Sequence, residues 1–370
     1  MTRALNFFAT TRIRRSPFWP GVVAAGVHSC SVYNHTLLPV HFRTPEEDYR
    51  HLKSRVQLWD VSCQRQVAVR GKDATKTLAL FVPRRVESMV VGRCYYIPAV
   101  DQCGKLLNDP LVLKLAEDSY WVSIADSDLS LWIKGLKAGF ELDVQVWEPD
   151  VSPLAVQGPL AGKLMGRVFG EEVRKLRFFG YGRFGFKNRE LVISRSGYSR
   201  QGGYEIYIDC PDLAMPLWEA LMEAGRDLDV GPGSPNYTER IEAGMLSYGG
   251  DVTIENDPYE CGLGKYCDLE GASDCLAREP LLRIREQGPA RCVRSLAISG
   301  PPAPMCDKAW RLACGDRFAG RITAASWSWD LETNVAIGMV EAPYWDAGTE
   351  LTVELPGRTE TATVRGSSFT

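Results

Sequence analysis

A carboxylate set among apolar strand residues is the first group in this chain whose chemistry asks for a partner. Glu205 lies in Tyr204-Glu205-Ile206-Tyr207-Ile208, after a turn with glycines at 197, 202 and 203 and a preceding arm Leu191-Val192-Ile193-Ser194. Two β-patterned arms around a glycine-punctuated turn predict a hairpin. Strand alternation then puts Glu205 and Tyr207 on one face. If that strand is buried, the carboxylate needs a partner rich in N–H donors, and a flat, amine-bearing ring such as a pterin would satisfy it. On an edge strand Glu205 would simply stand in water.

Other chemistries are constrained by what the chain lacks. The four histidines (28, 35, 41 and 51) crowd into the first 51 residues, and no G-x-S-x-G motif accompanies them. The 11 cysteines, from Cys30 to Cys314, form no C-x-x-C pair. Neither a zinc ribbon nor a redox dithiol is expected, and reduced thiols in a cytoplasmic protein fit best. The expectation is metal-free chemistry without a histidine base. A net charge of −3 and the absence of a long basic block argue against nucleic acid as a partner. Apolar runs such as Gly21 to Val27 are too short to span a bilayer. The Arg-rich start (Arg3, Arg12, Arg14, Arg15) lacks the apolar core of a secretory signal, and Pro17 and Pro20 would break a long helix. An ordered N-terminal arm is expected there.

An internal echo suggests how the candidate groups are held. Val67-Ala68-Val69-Arg70-Gly71 resembles Leu154-Ala155-Val156-Gln157-Gly158 at an offset of 87 residues. Each copy reads as a strand ending at glycine and a helical stretch (Ala74 to Phe81, Leu160 to Phe169). A hairpin and an amphipathic helix follow (Asp128 to Phe140, Leu213 to Ala224). The first hairpin is expected to pair Tyr95–Val100 with Pro110–Leu115 across a turn at Asp101–Gly104. Two related α+β lobes follow from this pattern. Beyond Glu286, runs at 293–298, 321–324, 334–340 and 351–355 lack helical spacing, which predicts a small antiparallel barrel or sandwich.

Several segments in order resemble the glycine-cleavage T-protein family of tetrahydrofolate-dependent methyl and aminomethyl transferases. Gly197-Tyr198-Ser199 with Gly202-Gly203-Tyr204-Glu205-Ile206 is similar to its G-Y-T-G-x-x-G-[YF]-E-[IV] segment. Ala155-Val156-Gln157-Gly158-Pro159 matches A-x-Q-G-P, Arg240 to Met245 matches R-L-E-A-G-M, and Asp257 to Leu263 resembles N-P-x-E-x-G-L. Within the family the chain is most similar to the dimethylsulfoniopropionate demethylases, through segments such as Arg12 to Phe18, Val32 to Pro39, Ser123 to Asp128 and Trp345 to Leu351. The resemblance implies an α+β fold of three domains in a clover arrangement, two lobes plus a C-terminal antiparallel β-barrel. Residues 1–285 would form the folate-binding region and 286–370 the barrel.

It also implies methyl transfer from a sulfonium to N5 of tetrahydrofolate, the co-substrate. Glu205 would take paired N–H bonds from the pterin, with Tyr198 and Tyr96 as flat hydroxyl-bearing walls and Arg240 steering the folate carboxylates. An ion pair inside the scaffold is the competing role for Arg240. Ser123, Tyr33 and Tyr207 would hold the carboxylate of the dimethylsulfoniopropionate, Tyr207 at the seam between the two pockets. Trp327 and Trp329 could close over the sulfonium. The family's G-G-x-x-D-D run reads Gly104-Lys105-Leu106-Leu107-Asn108-Asp109 here, so Asn108 stands where a carboxylate is usual. That exchange suits a displacement that expels a neutral thioether, with a turn cap as the alternative role. Other folate-dependent demethylases and aminomethyltransferases remain in contention. A non-catalytic folate-binding protein is disfavoured by the missing K-G-C-[YF]-x-G-Q-E motif. A homodimer is left open.

Overall fold

The computed structural model describes residues 10–366 and 368–369; the start of the expected N-terminal arm, residues 1–9, lies outside the described residues. Pro20 does not break a helix there. It sits in the first turn of the short helix Trp19–Ala24, where a missing N–H costs nothing. That helix docks Phe18 and Val22 into the second lobe's core beside Trp218.

The first lobe is an antiparallel sheet in the order Gln145–Trp147, Gln66–Arg70, Ser119–Ser123, Leu111–Ala116, Cys94–Tyr96. Helices Ala74–Ala79 and Leu129–Gly139 cover one face and bury Leu78, Ile133 and Leu136 against Val67, Val69 and Val122. The second lobe repeats the plan with Tyr181–Phe186, Arg189–Ser194, Gly203–Ile208 and Ser152–Gln157, under helices Ala161–Phe169 and Ala214–Ala224. It differs by one inserted strand. Val56–Asp60, which precedes the first lobe in the chain, lies between Ser152–Gln157 and Val230–Gly233, pairing antiparallel with one and parallel with the other.

The repeat is also a local two-fold axis. Arg93 and Gly180, separated by the same 87 positions that relate Val67 to Leu154, form an antiparallel bridge with each other. Around it Cys94 N donates to Phe179 O at 2.7 Å and Tyr181 N to Gly92 O at 2.9 Å, a symmetric pair of bonds. The two sheets are thus joined edge to edge, with their uncovered faces meeting through Leu111, Leu113 and Trp121 on one side and Tyr181, Val192 and Tyr207 on the other.

The expected second hairpin is present, with Ser194 opposite Glu205 and Val192 opposite Tyr207. The first needs correction. Cys94–Tyr96 does pair with Leu111–Ala116, but Ala99–Val100 leaves the sheet and pairs with Leu106–Asn108 in a separate ribbon. Pro98 has no N–H to give the ladder, so the strand ends before it. The ribbon closes on Asp101, whose carboxylate accepts from Cys103 N and Lys105 N, both at 2.8 Å.

The C-terminal barrel closes six antiparallel strands: Arg291–Ile298, Thr333–Glu341, Arg317–Ser328, Trp310–Cys314, Glu350–Leu355 and Arg358–Val364. Its interior holds Leu296, Trp310, Leu312, Ile322, Val340 and Val353. A six-residue helix, Tyr237–Glu242, joins barrel to lobes. Ile241 packs on Ala324, Val335 and Ile337 of the barrel, while Glu242 accepts from Tyr49 Oη at 2.8 Å and Ser328 Oγ at 2.6 Å.

Candidate functional site

Glu205 stands on an interior strand, not an edge, and is only 5% exposed. No cation faces it. The Ser196 hydroxyl donates to Oε2, and Ser196 in turn pairs with the Ser194 hydroxyl. Burial pushes the Glu205 carboxyl above its usual range, and the Ser196 and Tyr207 hydroxyls pull it part of the way back. Burial likewise raises the Tyr207 phenol, with the Glu205 charge adding to it. Across the two-fold, the Tyr207 ring meets Trp121 with centroids 6.0 Å apart. Tyr207 therefore lies where the two lobes meet.

The glycines beside Glu205 are there for Gln157. This amide is fully buried, donates to Ser196 O at 3.2 Å and accepts from Ser199 Oγ at 2.8 Å. A Cβ on Gly197 would fall 2.1 Å from its Nε2, and one on Gly203 2.4 Å from the same atom. The motif thus works as a staple: the glutamine fills the space that the glycines leave, and the loop carrying Tyr198 cannot drift. Glu239 holds the loop's outer side by accepting from Arg200 N at 2.8 Å and Gln201 Nε2 at 3.1 Å.

Tyr198 packs on Ala155, the residue paired with Glu205, and its hydroxyl donates to Leu246 O at 2.6 Å. Tyr33, Tyr96 and Tyr198 gather around one carboxylate, Asp109; burial raises the phenol of each, and the Asp109 charge adds to it. Tyr96 Oη donates to Asp109 Oδ2 at 2.8 Å. Burial pushes the Asp109 carboxyl up to about 7, against the stabilising bond from Tyr96. Asp109 is the group that sequence reasoning passed over in favour of Asn108. The available signal was an acid between a strand end and Pro110, where solvation is poor.

Asn108 has another duty. Its amide accepts from Ala125 N at 2.9 Å and donates to Ala125 O at 3.0 Å and Ser127 Oγ at 2.8 Å. A carboxylate could not make the two donations. Asn34, at the tip of the hairpin that carries Tyr33, also donates to Ala125 O at 3.0 Å and to Cys63 O at 3.0 Å. That hairpin turns through Asn34 and His35, both left-handed (φ 48° and 58°), as a two-residue connection requires. Two asparagines thus clamp the chain just beyond Ser123, which accepts from Gln66 Nε2 at 2.9 Å.

Arg240, Trp327 and Trp329 are the remaining sequence candidates. Arg240 is committed to Asp251 at 2.7 Å, with both side chains buried. Burial opposes its charge, yet Asp251 outweighs that and holds it protonated. This is the scaffold ion pair that was the competing role for Arg240. Trp327 lies on the strand Arg317–Ser328, where Ser326 and Ser328 reach the helix Tyr237–Glu242. Alternation turns Trp327 to the opposite side, away from the lobes. Trp329 packs on Tyr49 at 5.2 Å. Among the described residues, no group of three or more His, Cys, Asp or Glu could hold a metal ion.

Comparison with known proteins agrees with this architecture. Residues 21–271 match the GCVT N-terminal domain, and residues 291–370 match the glycine cleavage T-protein C-terminal barrel domain. The chain is 49% identical to the dimethylsulfoniopropionate demethylase of Ruegeria pomeroyi over 97% of its own length and 98% of that protein's. It is 30% identical to an aminomethyltransferase of Symbiobacterium thermophilum, covering 90% and 91% of the two chains. The crystal structure of the glycine cleavage system aminomethyltransferase T from Bartonella henselae superposes with a TM-score of 0.86 at 22% identity, over 97% of this chain and 98% of that one, which shows the shared fold.

Proposed function

The chain belongs to the glycine cleavage T-protein family, and we propose that it moves a methyl group from dimethylsulfoniopropionate to N5 of tetrahydrofolate. The products are 5-methyltetrahydrofolate and 3-(methylthio)propionate, with one proton released. The observation that carries this reading is the near-complete, 49% identical match to a dimethylsulfoniopropionate demethylase. The site itself fits a reduced folate: Glu205 is a buried carboxylate whose partners are hydroxyls and which meets no cation, an arrangement that leaves it ready for paired N–H donors.

Tetrahydrofolate, when bound, supplies the secondary amine that accepts the methyl group. The chain's own residues orient and exclude. Glu205 and the stapled Tyr198 loop hold the ring by its edge and face. Tyr207 and Trp121 close the seam between lobes, and Ser123 and Tyr33 receive the donor's carboxylate. Asp109, with a carboxyl near neutrality, is the group suited to balance the donor's positive charge and to take up the proton that the amine loses. Sulfur leaves as a neutral thioether with the electron pair of its broken bond, so it needs no acid. Rate then depends on alignment of nucleophile, methyl carbon and sulfur at about 3–3.5 Å.

We extend the reading to a cytoplasmic location, in keeping with 11 cysteines that are all free; no described helix is long and apolar enough to cross a membrane. A homodimer is a further extension, removed if sedimentation gives the mass of a single chain. The decisive test incubates the purified protein with tetrahydrofolate and dimethylsulfoniopropionate, with glycine betaine, dimethylglycine and a methoxy-aromatic in parallel. Formation of 5-methyltetrahydrofolate and 3-(methylthio)propionate from the sulfonium alone is expected. Turnover of one of the other donors in its place would overturn the assignment.

A further inference from the structure

Ser123 and Gln66 pair across neighbouring strands of the first lobe, in a row that continues through Leu111 to Tyr96. The direction of the hydrogen bond between them is fixed from outside. Gln66 Nε2 reaches the Gln64 carbonyl at 2.8 Å, a partner that only accepts, and the same nitrogen lies 2.9 Å from Ser123 Oγ. Ser123 Oγ must therefore accept. Its own proton has no acceptor among the described residues.

Gln66 is fully buried and its Oε1 is left without a partner. A leucine or methionine would fill the same space without an orphaned oxygen, so packing does not account for an amide here. The strand end that carries Ser123 is clamped from the far side by Asn34 and Asn108, both bonded to Ala125 O. Ser123 is thus held in place with one acceptor lone pair engaged and its hydroxyl hydrogen free. In the repeat, its counterpart is Tyr207, the residue at the seam.

We propose that Gln66 is a positioning residue that orients Ser123 so that its free hydroxyl hydrogen is donated to the carboxylate of the methyl donor. This inference rests on the demethylase reading and names the pair that selects a carboxylate-bearing sulfonium over a bare one. Gln66 touches no substrate itself.

The test separates carboxylate recognition from general damage. In Gln66→Met, a near-isosteric change, KM for dimethylsulfoniopropionate should rise at least about tenfold, the range of one charge-assisted hydrogen bond. Meanwhile kcat and KM for tetrahydrofolate should stay within about threefold of wild type. The inhibition constant of trimethylsulfonium, a cation with no carboxylate, should not move, whereas that of 3-(methylthio)propionate should rise with KM. Ser123→Ala gives a second route: once it is made, adding Gln66→Met should cost nothing more. Parallel losses for both inhibitors, an unchanged KM, or additive effects in the double variant each overturn the proposal. Absence of sulfonium turnover by the wild-type enzyme would instead overturn the functional reading.

Discussion

In the second lobe the row facing the centre runs Tyr181, Ser194, Glu205, Ala155; in the first lobe the equivalent row runs Cys94, Leu113, Trp121, Ala68. Backbone, register and the glycine that ends each first strand are common to both. Gly71 and Gly158 both have positive φ (143° and 119°), and at each a Cβ would fall 2.4 Å from a backbone oxygen. The chemistry is not shared. One lobe places a carboxylate among hydroxyls; the other places an indole among leucines. A buried carboxylate destabilises the sheet that holds it unless a ligand compensates. A second copy would add that cost and leave no apolar wall for the first. On the proposed function the repeat divides labour: one face would bind a polar ring edge and the other close over it.

The sharpest way to break this comparison is to neutralise each row in turn. Glu205→Gln keeps the shape and removes the charge, and Glu205→Ala removes both. Each is expected to weaken tetrahydrofolate binding at least about 100-fold, the scale of two charge-assisted bonds, with the fold retained. Trp121→Phe should change the same affinity less than about threefold, because its part is to fill the seam. Titration calorimetry reads both. Equal losses in the two variants would mean that the rows are not functionally distinct.

A smaller effect separates the glycine that ends the first lobe's first strand from one that packs on the Gln157 staple. Gly71→Ala and Gly197→Ala each force a Cβ into an occupied position with φ near +150°. Each should therefore lower stability by on the order of 3 kcal/mol. Only Gly197→Ala displaces the Gln157 staple, so it alone should also weaken folate binding, by about tenfold. Urea unfolding followed by folate titration of the folded fraction distinguishes them. A folate defect in Gly71→Ala would place the first lobe's turn in the binding site after all.

Those features that local chemistry dictates were legible in the sequence. The repeat could be read from Val67 and Leu154 onward because each copy combines a strand, a glycine with obligatory positive φ and an amphipathic helix, all local signals. The Glu205–Tyr207 face followed from alternation alone. Tertiary choices were not legible. Nothing in Val56–Asp60 announces that it will insert into the lobe that begins almost a hundred residues later. The polar alternation of Arg358–Val364 hid a barrel strand, and Pro98 diverted a hairpin that composition alone favoured. Arg240 found its acid eleven residues away, across a turn, where no local spacing identifies the partner. Asp109 went unread because burial, not residue type, makes it chemically unusual.

Asp109 is the carboxylate that the first lobe does contribute, and its titration is the finest probe of the division between lobes. Its carboxyl sits near 7 in the folded chain, against an unfolded value of about 4. Between those values the folded state holds a proton that the unfolded state has lost. Stability therefore falls as pH rises through that window and levels off above it. Asp109→Asn cannot titrate, so its melting temperature should gain on wild type by several degrees between pH 5 and pH 8, and no further above that. Activity should respond with the opposite preference. If Asp109 takes up the proton as proposed, the ionised form is the active one, and kcat/KM for dimethylsulfoniopropionate should fall as pH drops below about 7. The variant should be slower throughout and flat across the same range. A wild-type profile that stays level from pH 5 to 8 would detach Asp109 from the chemistry and leave the ionisable work to Glu205 alone.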